Sequence, residues 1–110
     1  MEYLGKTKDG KYHGYAILRE NGLTFRGTFK DGVANGYGIL NDDNGLSVSG
    51  TFVNGLLNGY TTIIAPNGYW YKGTFKDHLR HGIGIEQMPD QEPVYGYYEN
   101  DVRVKVFEGL

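Results

Sequence analysis

The chain has no cysteine, so disulfide bridges, thiolate metal sites and cysteine nucleophiles are excluded. It has no long apolar run, and Met1-Glu2-Tyr3-Leu4-Gly5-Lys6 lacks the apolar core of a signal peptide. Neither sign of charge dominates. Eleven Lys and Arg against thirteen Asp and Glu leave a net charge of −2, which gives no electrostatic reason to expect nucleic acid as a partner. Tryptophan occurs once, methionine twice and proline three times, and no window carries a helical period. The expectation is a soluble, cytoplasmic protein, with any membrane or cytoskeletal association made through a partner.

Present in abundance are eighteen glycines and ten tyrosines in 110 residues, one domain's worth of chain. Glycine is costly inside a helix, so this many argue for turns and strands. Tyrosine supplies much of the apolar area, which suits a thin aromatic layer better than a thick aliphatic core.

The glycines and aromatics recur at a fixed period. Phe25-Arg26-Gly27-Thr28-Phe29-Lys30-Asp31-Gly32, returning through Gly36-Tyr37-Gly38, is repeated as Val48-Ser49-Gly50-Thr51-Phe52 with Asn54-Gly55 and Gly59-Tyr60. It returns as Tyr71-Lys72-Gly73-Thr74-Phe75 with Gly82-Ile83-Gly84. Phe25, Val48 and Tyr71 stand 23 residues apart, the mark of a repeat array. The repeats lie near 3–24, 25–47, 48–70 and 71–93, with a partial unit at 94–110, all within one array over 1–110.

The first three units carry Asp-Gly or Asn-Gly in their middle (Asp9-Gly10, Asp31-Gly32, Asn54-Gly55), His78 and Asp101 replace that glycine in the fourth and fifth, and Asn-Gly marks the junctions at Asn21, Asn44 and Asn67. These dipeptides accept positive φ cheaply and are strong hairpin signals. Two turns per unit mean two strands per unit, hence an all-β chain of about ten short strands in sequential antiparallel order. In the first strand of the second unit, Leu23, Phe25, Gly27 and Phe29 share one face, with Thr24, Arg26, Thr28 and Lys30 on the other. Pairing Phe29 with Tyr37 puts the apolar sets of both strands on one face, and that register is the expected one. The glycines between large side chains let rings lie flat over the backbone.

The phrase resembles the MORN (membrane occupation and recognition nexus) repeat, which runs aromatic, any, Gly, any, aromatic, then a turn glycine and a Gly-x-Gly return. The second unit matches every diagnostic position, and the fourth departs only at His78; Ala16 and Thr61 replace the second return glycine in the first and third. The resemblance implies an elongated single-layer antiparallel β-meander of four to five hairpin repeats, curved into a trough, that serves in protein binding and scaffolding. It also implies dimerisation in some members and phosphoinositide or membrane binding in others. The last strand, Val102 to Phe107, alternates apolar and basic residues and reads as a cap. An initiator methionine and this degenerate last unit fit a complete small protein rather than a tethering module of a larger enzyme.

Residues that invite chemistry have plainer roles. His13 and His81 occupy the column of Asn35 and Asn58 just before the return glycine, a turn position, and no third ligand stands near His78 and His81 to make a metal site. Asn41-Asp42-Asp43-Asn44-Gly45 lacks the spacing and terminal Glu of a calcium loop. The Gly-x-Gly returns precede no helix and no Lys-Ser or Lys-Thr, so they are not phosphate loops. Nothing assembles a nucleophile, a base and an oxyanion donor. A non-enzymatic chain with no cofactor is expected.

The expected function is binding of another protein, or of a second copy, through the aromatic face. The candidate contacts are Phe25, Phe29, Tyr37, Phe52, Tyr60, Tyr71 and Phe75 along the trough, with Trp70 on the opposite face beside the outward Tyr95 and Tyr97. The alternative is an anionic-lipid or phosphoinositide site on a stripe of Arg26, Lys30, Lys72 and Lys76 on the polar face. Glycan binding is the weakest rival, because hairpin repeats that hold glycans are richer in tryptophan.

Overall fold

The computed structural model describes residues 1–107. Ten strands follow one another: β1 (Glu2–Lys8), β2 (Lys11–Glu20), β3 (Leu23–Lys30), β4 (Val33–Asp42), β5 (Ser47–Val53), β6 (Leu56–Ile64), β7 (Trp70–Lys76), β8 (Leu79–Gln87), β9 (Val94–Glu99) and β10 (Val102–Val106). They form a single open sheet in sequence order, every neighbouring pair antiparallel. The molecule measures 52 × 25 × 17 Å, so it is one sheet thick.

Two-residue turns at Asp9-Gly10, Asn21-Gly22, Asp31-Gly32 and Asn54-Gly55 have both residues at positive φ, the geometry whose twist matches that of the flanking strands. Asp77-His78 and Asn100-Asp101 take the same shape without glycine. There the side chain contributes a bond that glycine cannot. His78 Nδ1 accepts the Leu57 N–H at 2.9 Å, and Asp101 Oδ1 accepts the Arg80 N–H at 3.4 Å.

The turns also join successive units. The N–H groups of Gly32, Gly55, His78 and Asp101 donate to the carbonyls of Tyr12, Ala34, Leu57 and Arg80, at 2.8–3.0 Å. The acceptor is the same repeat position each time. Each hairpin tip is thereby fastened to the return strand of the unit before it.

The register differs from the expected one. Phe29 pairs with Ala34, Gly27 with Gly38 and Phe25 with Leu40, with a bulge between the first two pairs. The bulge falls at Gly36, whose φ of 105° a side chain rarely adopts, and the Thr28 hydroxyl donates to the Asn35 carbonyl across it. Equivalent shifts occur beside Gly5, Gly50 and Gly73. Counting back from a tight turn through a two-residue bulge places Gly38 and Leu40 with the rings and sends Tyr37 to the opposite face. By the same geometry Tyr60 pairs with Thr74, on that opposite face.

The core lies on one side of the sheet, here called the inner face: Val48, Phe52, Leu57, Tyr71, Phe75 and Tyr98, with Phe25, Leu40 and Ile63 packed against them. The glycines serve these rings. A Cβ on Gly38 would stand 2.6 Å from Phe25 Cε1, and a Cβ on Gly27 2.8 Å from the Gly38 Cα. In the third unit Val48 replaces the ring, and the site that glycine fills in the second and fourth units holds Thr61, fully buried.

Candidate functional site: the inner trough

Edge-to-face contacts link Phe25 to Phe29 (5.4 Å between ring centroids) and to Phe52 (5.1 Å), an arrangement favoured by the ring quadrupole. Tyr3 and Tyr12 stack at 3.9 Å at the N-terminal end, against the edge of Phe29. These rings do not fill the face. Leu18, Phe25, Phe29, Leu40, Val48, Phe52 and Leu57 border an open apolar groove of about 330 Å³, closed at one end by Gly55 and His78. A smaller hollow of about 210 Å³ continues it past Leu18 and Leu40 to Leu23 and Asn21.

Toward the C-terminus the same face changes character. Arg80 stands in the repeat column of Ala34 and Leu57, and Glu86 in that of Leu40 and Ile63. Arg80 Nη1 meets Glu86 Oε2 at 2.6 Å, and Arg80 Nε meets Asp101 Oδ1 at 2.6 Å. Glu86 also accepts the hydroxyls of Tyr69 at 2.6 Å and Tyr98 at 3.3 Å. The Arg80 guanidinium lies over the rings of Tyr98 (4.9 Å) and Tyr71 (5.7 Å), where ring faces attract a cation. This network fills the trough where the apolar groove ends.

Burial sets the titration of the tyrosines in this network. It pushes the Tyr71 hydroxyl up to about 12, with the neighbouring Tyr98 adding to the rise. Burial also raises Tyr69, reinforced by its hydrogen bond to Glu86, and raises Tyr98, reinforced by the Glu86 charge. The hydrogen bond from Arg80 holds Asp101 below the usual carboxylate range. Tyr71 Oη is buried without a hydrogen-bond partner.

Of the residues expected along the trough, Phe25, Phe29, Phe52, Tyr71 and Phe75 lie on the inner face, where Phe52, Tyr71 and Phe75 are core. Tyr37 and Tyr60 do not. They stand on the outer face, 60% and 62% exposed, in one row with Tyr15 (64%) and Ile83 (62%). Trp70 is also on the outer face, half-buried, with Lys72 Nζ 5.3 Å from its ring centre. Tyr95 pairs with Ile85, in the row next to that of Trp70 and across β8, so the two rings occupy separate positions.

Arg26, Lys30, Lys72 and Lys76 are exposed on the outer face. Arg26 and Lys72 share a row but are separated by Ile39, Ser49 and Thr62, four strand spacings or about 19 Å. That spacing does not make a convergent site for a single phosphate. His78 and His81 serve turns: His81 Nδ1 accepts the Asn100 N–H at 3.4 Å, beside the His78–Leu57 pair. Asp42 Oδ1 accepts the N–H groups of Asn44 and Leu46, so Asn41–Gly45 is a hydrogen-bonded turn.

The MORN repeat family matches the chain four times, at residues 3–24, 25–47, 49–68 and 71–92. The chain belongs to the MORN repeat family. Its MORN repeats correspond to the hairpin pairs β1–β2 through β7–β8, and β9–β10 adds one more hairpin beyond them. No curated protein matches the chain significantly. MORN repeats are generally non-catalytic binding modules, and no catalytic domain is evident beside these four. Among the described residues no helix is long and apolar enough to cross a membrane.

Proposed function

We propose that this MORN array is a protein-binding module whose docking surface is the N-terminal part of the inner trough. The observation that carries this reading is the apolar groove of about 330 Å³ between Phe25, Phe29, Phe52 and Leu57. Apolar pockets with aromatic walls are where binding energy concentrates in protein interfaces. The ligand is an apolar side-chain cluster on another protein or on a second copy of this chain. The Arg80–Glu86 network stands farther along the same face, on β8, and is not part of the groove lining.

A photo-crosslinking phenylalanine analogue at Leu40, compared with one at the outer-face Thr51, tests the choice of face. Crosslinks to a discrete protein from Leu40 alone, abolished by Leu18→Asp in a variant with an unchanged melting curve, are expected. The same adducts from Thr51, with none from Leu40, would overturn the assignment.

A further inference from the structure

The outer face carries a second regular feature, independent of the trough. Tyr15 on β2, Tyr37 on β4 and Tyr60 on β6 stand on alternate strands of one row, with Ile83 continuing it on β8. Each is about 60% exposed, so the rings stand clear of the sheet rather than lying on it. Threonines alternate with them: Thr28 faces Tyr15, Thr51 faces Tyr37 and Thr74 faces Tyr60. The row is a ladder of rings with shallow slots between them.

Its spacing is fixed by the sheet. Two strand spacings come to about 9.4–9.8 Å. One turn of a polyproline II helix, three residues at about 3.1 Å each, comes to about 9.3 Å. A polyproline II ligand laid across the strands therefore repeats in step with the rings. Proline has no N–H and offers only carbonyl acceptors, so a surface that binds it must supply donors. The exposed phenol groups do so, whereas Thr28 and Thr74 spend their own protons on the Asn35 and His81 carbonyls.

Charge in the adjacent row follows the same measure. Ile17, Arg26, Ile39, Ser49, Thr62, Lys72 and Ile85 contain two cations and no acid. Arg26 and Lys72 stand about 19 Å apart, which is two polyproline II turns, or six residues, at about 18.6 Å. Neither is in an ion pair among the described residues. We propose that the outer face binds an acidic, proline-rich segment in polyproline II conformation. Its prolines fit between Tyr15, Tyr37 and Tyr60, and acidic residues six apart reach Arg26 and Lys72.

A fluorescent peptide of four Pro-Pro-Glu repeats is the direct probe, read by anisotropy at low and physiological salt. Saturable binding is expected. It should weaken about tenfold or more for Tyr37→Ala and for Tyr60→Ala, as for the loss of an aromatic anchor, with melting curves unchanged because both rings are exposed. Lys72→Glu should weaken binding and reduce its salt dependence, and Leu18→Asp in the trough should leave it unaltered. The proposal is overturned by an absence of binding, or by equal binding of the peptide with alanine in place of every proline. It is also overturned if the tyrosine variants bind like the parent. Binding to mixed phosphatidylcholine–phosphatidylserine vesicles in place of the peptide, lost in the same variants, would assign the ladder to a lipid surface instead.

Discussion

At the scale of single residues, the inner face depends on which side chains are missing. Phe25 lies over Gly27 and Gly38, and Gly38→Ala sets a methyl group against Phe25 Cζ and 2.6 Å from Phe25 Cε1. Overpacking of this kind costs about 1–3 kcal/mol, which urea denaturation of the variant would register. The opposite change is expected at Tyr71, whose buried hydroxyl has no partner. Tyr71→Phe removes that desolvated group while keeping the ring, so a gain of up to about 1 kcal/mol is expected by the same measurement. The phenols also set the alkaline limit. In the folded chain Tyr71 titrates near 12, and Tyr69 and Tyr98 are likewise raised above the ordinary 10. Above pH 10 the unfolded chain releases these protons while the folded one keeps them, so stability is full below 10 and falls as pH climbs toward 12. Absorbance at 295 nm should show these tyrosines ionising late, together with loss of strand dichroism, and Tyr71→Phe should make the decline shallower.

At the scale of elements, the last hairpin is held differently from the others. β10 has no buried residue, and β9 contributes Tyr98 as its one core ring. Polar contacts fasten it: Arg80 to Asp101, and Glu86 to Tyr98 and Arg103. Arg80→Ala should loosen β9–β10 while leaving β3–β6 intact. The readout is faster amide exchange confined to residues beyond Glu86. Acid acts on the same bonds. Asp101 is depressed in the folded state, so its contribution is present above the unfolded value of 3.8 and is lost as pH falls through the lower folded value. The C-terminal hairpin should therefore exchange first on acidification.

This scale also shows what the amino-acid order reveals by itself. Asp-Gly and Asn-Gly pairs, together with the 23-residue period, locate the turns and hence all ten strands. The facing of the return strand is set by the two-residue turn, which pairs Lys30 with Val33 and so puts Ala34, Gly38 and Leu40 on the ring side; the bulge at Gly36 adds two residues and keeps that alternation. The expected Phe29–Tyr37 pairing does not fit this turn length, which is why Tyr37 and Tyr60 stand on the face opposite to the expected one. Arg80 and Glu86 left a usable signal: opposite charges in one unit at columns that are apolar in the others. A buried pair is the physical way to satisfy both, and that comparison identifies the network before any coordinates. The groove between Phe25 and Phe52 left none, because an unfilled volume depends on rotamers and ring tilt.

For the whole molecule, extension is the main property. A compact chain of this length has a radius of gyration of about 13 Å, whereas this sheet has 15.6 Å over its Cα atoms. Solution scattering should return the larger value. A fall toward the compact figure would mean that the sheet folds back on itself. Contacts run only between neighbours in the array, so its stability is close to a sum over adjacent hairpins. The trough and the tyrosine ladder lie on opposite faces of the sheet, so the two proposed ligands would not compete for one surface.

The tip-to-neighbour bonds at Gly32, Gly55, His78 and Asp101 carry a mechanical consequence. The first and last strands are opposite edges of the sheet, so tension between the termini pulls across the strands and loads the interstrand bonds one after another. Such a molecule peels rather than shears. Under a steady pull it should lengthen at low force in steps of one hairpin, the shorter polar-fastened C-terminal hairpin yielding first and each full repeat then releasing 22–23 residues or about 80 Å of slack. An array stretched between two attachments would then act as an extensible strap, its reserve of length stored in whole repeats.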